Sequence, residues 1–218
     1  GVAGSNNITK TSFSATGLCS TPFGMIKNSP LFSVTVFAQH HSKMTVTVNI
    51  QDKTLNVFQE LTFNNQTTDS LSTIVLNDWN NAYSTKSSLL ARRFSDEFIR
   101  NFHLSKENEK GFTTNINAFD ESKSFLNWNR NDACDLITLK LNHKLAPKQK
   151  VKLYLTYTLK LPSDEFTKYG YGKHENFNLK NWYLTPARYE NHDFVKYSNA
   201  NLDDITNGLS DYEIEIRV

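Results

Sequence analysis

The segment 151–161 places the strongest constraint on the fold, because apolar and polar residues alternate along its whole length. Alternation with a period of two residues is typical of a β-strand that has one face in a core and the other in solvent. The apolar face consists of Val151, Leu153, Leu155, Tyr157, Leu159 and Leu161. We expect segment 135–142 to be the hairpin partner of this strand, joined to it through a turn at 143–150.

Other stretches show the same alternation and predict further strands. Residues 44–50 and 55–63 alternate on either side of a polar turn, so we expect a β-hairpin over 44–63. Two more strands are expected at 71–78 and 212–218. A protein built mainly from such strands buries the apolar face of each sheet against another layer.

One segment, 88–102, has a different period. Its large apolar residues recur at every fourth position, the spacing of an amphipathic helix of about four turns. These residues are Leu90, Phe94, Phe98 and Phe102. We therefore predict a mainly β protein, an antiparallel β-sandwich or saddle with one amphipathic helix near 88–102.

Charge and hydropathy exclude several classes of protein. The chain has 24 Lys and Arg residues against 22 Asp and Glu residues, a formal net charge of +2, so we expect no nucleic-acid partner bound through a basic face. No apolar run reaches the roughly 18–20 residues that a transmembrane helix requires, so we expect no membrane span. The hydrophobic content of 38% is sufficient for a folded core.

Residues 1–39 are expected to form an N-terminal extension or leader-like segment that contributes a first strand, and 40–218 to form a single domain. Lys27 followed by the apolar stretch 31–38 has the residue order of a short signal peptide. The same stretch also alternates, which would make it a strand. We expect export to the periplasm or cell surface, and a cytoplasmic location stays open.

The sequence contains no complete catalytic or metal-binding motif. None of its six histidines belongs to a His-Glu-x-x-His pair, in which two histidines on one helical face bind zinc and the glutamate acts as the base. A nucleophile elbow and a phosphate-binding glycine loop are also absent. We therefore expect neither a catalytic residue nor a cofactor in this chain.

A long stretch at 170–199 combines aromatic residues with Asn, Lys and His and has few strand signals. Irregular stretches of this length inside a compact domain are usually functional. An aromatic cluster that pins a long loop to the core explains the pattern equally well. Both interpretations remain open at this point.

Four pieces of the chain lie in a recognisable order. They are LNDWNNAYSTKSSLLARRFSDEFIRNFHLS at 76–105, LAPKQKVKLYLTYTLKLP at 145–162, NLKNWYLTPARY at 178–189 and YSNANLDD at 197–204. Together they resemble the N-terminal domain of zinc aminopeptidases of the aminopeptidase N family, in particular its bacterial, Flavobacteria-like branch. The resemblance extends over about 40–218.

The resemblance implies a non-catalytic β-saddle that packs on a thermolysin-like catalytic domain of the same polypeptide. In that family the catalytic domain begins just after a strand like 212–218 and carries the His-Glu-x-x-His zinc site. The resemblance thus implies that zinc belongs to a catalytic domain missing from this chain, and that peptide N-termini are the substrate of the parent protein. This chain would form one wall of the peptide cleft.

The resemblance also implies roles for individual residues. The run 185–188, Thr-Pro-Ala-Arg, matches the later half of a Gln-x-x-x-Thr-x-Ala-Arg pattern, and an asparagine stands where the family has glutamine. The implied substrate-cleft residues are Asn181, Trp182 and Tyr183. The implied domain-interface residues are Arg188 and Tyr189. In this interpretation the side chains of Trp182, Tyr183 and Arg188 are partly accessible to solvent.

Two other functions are compatible with the sequence. A free-standing β-sandwich module would bind peptide or carbohydrate through Trp182 and the neighbouring tyrosines. A scaffold domain would only dock another domain.

Overall fold

The computed structural model of the chain describes residues 9–13, 39–130, 132–196, 208 and 210–218. Strands dominate these residues. In chain order they are β1 (Thr9–Phe13), β2 (His40–Asn49), β3 (Thr54–Asn64), β4 (Leu71–Asn77), β5 (Phe112–Phe119), β6 (Trp128–Asn129), β7 (Leu136–Leu145), β8 (Lys150–Lys160), β9 (Gly170–Tyr171), β10 (Phe177–Asn178), β11 (Thr185–Pro186), β12 (Tyr189–Glu190), β13 (Asp193–Phe194) and β14 (Ser210–Arg217). The α-helices are α1 (Leu89–Asp96) and α2 (Asn101–Leu104).

Two larger sheets organise the strands. A six-stranded sheet has the order β1-β14-β2-β3-β8-β5, and a four-stranded sheet has the order β11-β4-β7-β6. Neighbouring strands are antiparallel except that β14 runs parallel to β2. The predicted mainly β, antiparallel fold class is confirmed.

The inward faces of the two sheets share one apolar core. Val46 and Leu155 of the six-stranded sheet belong to the same buried cluster as Ile74 and Leu139 of the four-stranded sheet. The predicted hairpin over 44–63 is confirmed, since β2 and β3 pair along their full length. Alternation placed their side chains on the correct faces because the strand period is two residues.

The predicted hairpin between 135–142 and 151–161 is wrong. Both segments are strands, but β7 pairs with β4 and β6, whereas β8 pairs with β3 and β5. The connection between them is held at Asn65, just after β3. The Asn65 side chain donates to the Leu145 carbonyl over 3.0 Å, and the Asn65 backbone N–H donates to the Gln149 carbonyl over 2.9 Å. These bonds hold the point where the chain passes from one sheet to the other.

The predicted single helix over 88–102 is two helices. The Ser88 hydroxyl accepts from the Ala91 backbone N–H and begins α1. The helix ends because Phe98 adopts a left-handed conformation with φ of 59°, and the Ile99 N–H bonds back to the Phe94 carbonyl over 2.7 Å. The Phe98 side chain is 86% exposed, so its expected place on the apolar face is also wrong. The chain turns helical again at α2, which buries Phe102.

The N-terminal segment contributes one described strand. Strand β1 pairs antiparallel with β14 at the edge of the six-stranded sheet. The apolar stretch 31–38, with its signal-like and strand-like interpretations, lies outside the described residues. Within the described ranges, the helices are too short or too polar to cross a bilayer.

The segment between β4 and α1 begins with a buried charged residue, Asp78. The Asp78 carboxylate is fully buried, and it contacts the Arg130 guanidinium at 2.5 Å and accepts from the Thr113 hydroxyl at 2.7 Å. Arg130 also donates to the Cys134 carbonyl over 2.7 Å. Burial raises the pKa of Asp78, and the charge of Arg130 opposes that rise.

His40 should make the stability of the fold depend on pH. Its ring is buried, stacks on Phe63 with centroids 4.6 Å apart, and accepts at Nδ1 from the Asn64 N–H over 3.4 Å. Burial lowers its pKa from 6.5 to about 4, so between these values the folded chain binds fewer protons than the unfolded chain. We expect the free energy of unfolding to fall as pH falls through this window, by at most about 3 kcal/mol.

Urea unfolding at several pH values checks the His40 prediction. His40→Gln should flatten the slope in that window because it removes the titrating ring. His41→Gln is the matched control, since His41 lies on the exposed face of the same strand. Equal slopes in wild type and His40→Gln would contradict the prediction.

Candidate functional site

The backbone at Leu184 is fixed from beneath by two side chains on the inner face of the six-stranded sheet. The Gln59 amide donates to the Leu184 carbonyl over 2.9 Å. The Tyr157 hydroxyl accepts from the Leu184 N–H over 3.3 Å and donates to Oε1 of the Gln59 side-chain amide over 2.8 Å. Because all three groups are buried, each bond satisfies a group that would otherwise be costly to bury. Burial raises the pKa of Tyr157, which keeps its hydroxyl protonated as a donor.

The Thr-Pro-Ala part of the motif forms the edge of the four-stranded sheet. Thr185 pairs with Asn77 and Pro186 with Leu76 of β4. The Ala187 N–H donates to the Val75 carbonyl over 2.9 Å. A proline is tolerated here because β11 is an edge strand, where a missing N–H breaks no ladder bond. The segment is therefore anchored through its backbone, and its side chains are held at defined positions.

Trp182 does not occupy the accessible position that was expected for it. Its side chain is only 6% exposed and belongs to the same apolar core as Leu184. The prediction that Trp182 is partly accessible is wrong, because the core takes up the large indole ring. Its role as a cleft residue stays a prediction, and any such role would require the ring to act from within the core.

The neighbours of Trp182 are more accessible. Asn181 is half-buried and adopts a left-handed backbone with φ of 49°, which asparagine tolerates better than most residues. Tyr183 is half-buried, and its ring lies 4.7 Å from that of Tyr212 on β14. Burial raises the pKa of Tyr183. Both side chains are therefore partly accessible, as the sequence predicted for Tyr183.

Arg188 combines an exposed charge with an enclosed donor. One guanidinium nitrogen contacts the Glu190 carboxylate at 2.6 Å, and the side chain is 34% exposed, as expected for an accessible residue. Its Nε atom is shielded from solvent and has no hydrogen-bond partner among the residues that the structure describes. A shielded N–H without an acceptor is unfavourable. Arg188 therefore has an unused hydrogen-bond donor.

Tyr189 borders a polar cleft of about 470 Å³. Its hydroxyl donates to the Asp69 carboxylate over 2.8 Å, and the same oxygen lies 2.8 Å from Nδ1 of His192. The bond from Tyr189 and then the bond from His192 lower the pKa of Asp69. Sequence reasoning missed Asp69 and His192. They are far from one another along the chain, and no local pattern links them.

The surface formed by residues 181–190 combines half-buried polar and aromatic side chains. Over the ranges given above, no three His, Cys, Asp or Glu side chains lie close enough to hold a metal ion. The described residues of this chain do not fit a zinc site. The available chemistry is hydrogen bonding by Asn181 and Arg188 and packing by Tyr183.

Comparison with known proteins finds likeness at the level of structure only. Neither a known protein family nor a curated protein matches the chain. Among solved structures, the chain is similar to an M1 zinc metallopeptidase from Deinococcus radiodurans and to a two-domain M1 zinc metallopeptidase mutant bound to L-tryptophan. Each is 15% identical with a TM-score of 0.34, and the match covers 57% of this chain and 20% of the other. The chain thus spans about one fifth of those structures, and likeness this weak carries no argument about its activity.

Proposed function

We propose that this chain is the non-catalytic N-terminal β domain of a zinc aminopeptidase-like protein. It packs on a catalytic domain of the same polypeptide and forms one wall of the peptide cleft. The sequence resemblance over 40–218 motivates the proposal. The single structural observation that supports it is the unused, shielded donor of Arg188, the residue that the resemblance assigns to a domain interface.

Arg188 has the chemistry of an interface residue. A planar guanidinium can bind two acceptors at once, and arginine is enriched at the centres of protein interfaces. Glu190 occupies one nitrogen and leaves the rest of the fork for another acceptor. A carbonyl or carboxylate of a docked domain would satisfy Nε and exclude water from the ion pair. Tyr183 and Tyr212 add two adjacent, half-buried rings suited to the same surface.

Asn181 and Tyr183 are the residues that would face the peptide. An asparagine amide both donates and accepts, so Asn181 can bind the amino end of a peptide or its first carbonyl. Trp182 would act from the core by fixing the backbone between them. Zinc and the catalytic groups belong, in this proposal, to the catalytic domain.

The parent polypeptide provides the direct test. We expect the gene region that follows the Val218 codon to encode a His-Glu-x-x-His pair and a further zinc ligand. The longer protein should contain zinc and hydrolyse an aminoacyl p-nitroanilide, whereas the 218-residue chain should do neither. Zinc bound stoichiometrically by the short chain, or a downstream region without zinc ligands, would contradict the proposal.

Arg188→Ala tests the interface itself. In the short chain the substitution should change the free energy of unfolding by less than about 1 kcal/mol, since its ion pair with Glu190 is partly exposed to solvent. In the longer protein it should lower the melting temperature or raise KM, because the interdomain contact is lost. Arg92→Ala is the matched control on an exposed helical position. Equal effects of the two substitutions in the longer protein would contradict an interface role.

The alternative of a peptide- or carbohydrate-binding module built on Trp182 receives no support from the structure. Such a module requires an accessible indole ring, and this one is buried in the core.

A further inference from the structure

The outer face of the six-stranded sheet carries a patch of mainly uncharged polar side chains that reaches the edge strand β5. Where β2, β3, β8 and β5 lie side by side, the residues that point away from the core align in two rows across the strands. The first row is Thr47, Asn56, Thr158 and Thr114, and the second is Thr45, Phe58, Thr156 and Asn117. We call these residues, together with Asn115, the threonine–asparagine face.

Hydrogen bonds between strands hold the amides of this face in place. The Thr158 hydroxyl donates to Oδ1 of the Asn56 side-chain amide over 2.9 Å. The Asn117 amide donates to the Thr156 hydroxyl over 3.2 Å. The Asn117 amide also donates to the Asn115 backbone carbonyl over 3.1 Å. An amide has two donor hydrogens and an acceptor oxygen, so the bond at Asn56 and the two bonds at Asn117 use only part of that capacity. The face therefore offers oriented donors and acceptors to a ligand without offering a charge.

Sheet stability alone does not explain the choice of residues. Asparagine is depleted in strands, yet Asn56 lies on the interior strand β3, and Asn115 and Asn117 lie on the edge strand β5. Asn115 adopts a left-handed conformation with φ of 53° at a bulge that interrupts the pairing of β5 with β8. Bulges of this kind re-aim side chains and are common next to binding sites. Departures from local preference are expected at functional sites.

An aromatic pair, the exposed Phe58 and the half-buried Tyr154, borders the same amides. Phe58 is 41% exposed although it lies in the middle of β3. Its ring is close to parallel with that of Tyr154 on β8, with centroids 6.3 Å apart. Aromatic rings next to fixed amide and hydroxyl groups suit a ligand that has apolar C–H faces and many hydroxyls.

The charges on and around this face narrow the range of ligands that suit it. The shallow cleft over this face has a volume of about 370 Å³, and its lining side chains are uncharged. Two lysines near the edges of this face are paired with acids, Lys43 with Glu213 at 3.1 Å and Lys152 with Glu60 at 4.0 Å, and Lys160 donates to the Asp52 backbone carbonyl. The lining of the cleft itself therefore offers no charge to an anionic or a cationic ligand. We propose that the threonine–asparagine face binds a neutral glycan chain.

This site is independent of the proposed aminopeptidase role. Because side chains alternate along a strand, Phe58 points outward whereas Gln59, which holds Leu184, points inward. The glycan site and the surface at 181–190 therefore lie on opposite sides of the six-stranded sheet. Either proposal can fail without affecting the other.

Affinity electrophoresis of the 218-residue chain tests the proposal. The gels contain hydroxyethylcellulose, konjac glucomannan or laminarin as neutral polysaccharides, and heparin as the charged comparison. We expect at least one neutral polysaccharide to retard the protein, at low and at high salt alike. Retardation by none of the three, or by heparin alone, would overturn the proposal.

Two substitutions locate the binding surface. Phe58→Ala and Asn117→Ala should each weaken glycan binding about tenfold, because one removes an aromatic contact and the other an oriented amide. Phe98→Ala removes a more exposed ring outside the face and should leave binding unchanged. Circular dichroism melts confirm that each variant is folded. Wild-type binding by both folded face variants would overturn the assignment of the site.

Discussion

Replacing Trp182 by alanine should lower the free energy of unfolding of the 218-residue chain by about 3–5 kcal/mol. The indole ring is buried in the shared core, and its removal leaves a cavity that the anchored backbone cannot fill by moving. That backbone is fixed at Leu184 by Gln59 and Tyr157, and at Ala187 by a bond to Val75. The cavity should therefore persist.

Denaturant unfolding of wild type and variant measures this loss. Phe98→Ala is the matched control, because Phe98 is another large aromatic side chain but is exposed, so its loss should change stability by less than about 1 kcal/mol. A loss below about 1 kcal/mol for Trp182→Ala would mean that the ring contributes little to the core. That result would favour the predicted role of Trp182 as a cleft residue.

Trp182 and Phe98 illustrate what local sequence patterns can and cannot predict. The four-residue period placed Phe98 on the buried face of a helix, and the family resemblance implied a Trp182 side chain that is partly accessible to solvent. Both placements were wrong for the same reason. Burial depends on where the chain turns in three dimensions, and Phe98 itself ends α1 by adopting a left-handed backbone.

Strands were predicted more successfully than their partners. Alternation identified β2, β3 and β8, because a period of two residues follows directly from strand geometry. Strand pairing is a non-local property. Strands β7 and β8 are joined by a short connection, yet they belong to different sheets. The connection between them is held in place by hydrogen bonds to Asn65.

The candidate sites were predictable only in part. The Thr-Pro-Ala-Arg run pointed to 181–190, and the accessibility of Tyr183 and Arg188 agrees with that expectation. The threonine–asparagine face could not be predicted, since its rows form only when four strands align in register. Asp69 and Tyr189, which are 120 positions apart, likewise meet only in the folded chain.

The largest electrostatic effect is expected at the buried pair of Asp78 and Arg130. Arg130→Ala should lower the free energy of unfolding by about 3–5 kcal/mol near pH 7, because it leaves a fully buried carboxylate without its counter-charge. The Thr113 hydroxyl would remain as a donor to Asp78 but supplies no charge. The Cys134 carbonyl would also lose the bond from Arg130, although it keeps one from the Asn81 amide over 2.6 Å.

The loss at Arg130→Ala should shrink as pH falls. Burial already raises the pKa of Asp78, and removal of the opposing guanidinium raises it further. Above the ordinary aspartate pKa the folded variant then binds more protons than its unfolded chain, so its stability falls as pH rises. His40 acts with the opposite sign in wild type and variant alike, so the difference between the two proteins at each pH cancels its contribution.

Urea unfolding near pH 7 and at about pH 4.5 measures that difference. Asp78→Asn in the Arg130→Ala background should recover part of the loss near pH 7 by removing the unpaired charge. Arg92→Ala, at an exposed position, should change stability little at either pH. A loss of equal size at both pH values would mean that Arg130 acts through packing and the Cys134 carbonyl, and that Asp78 is already neutral in the wild-type fold.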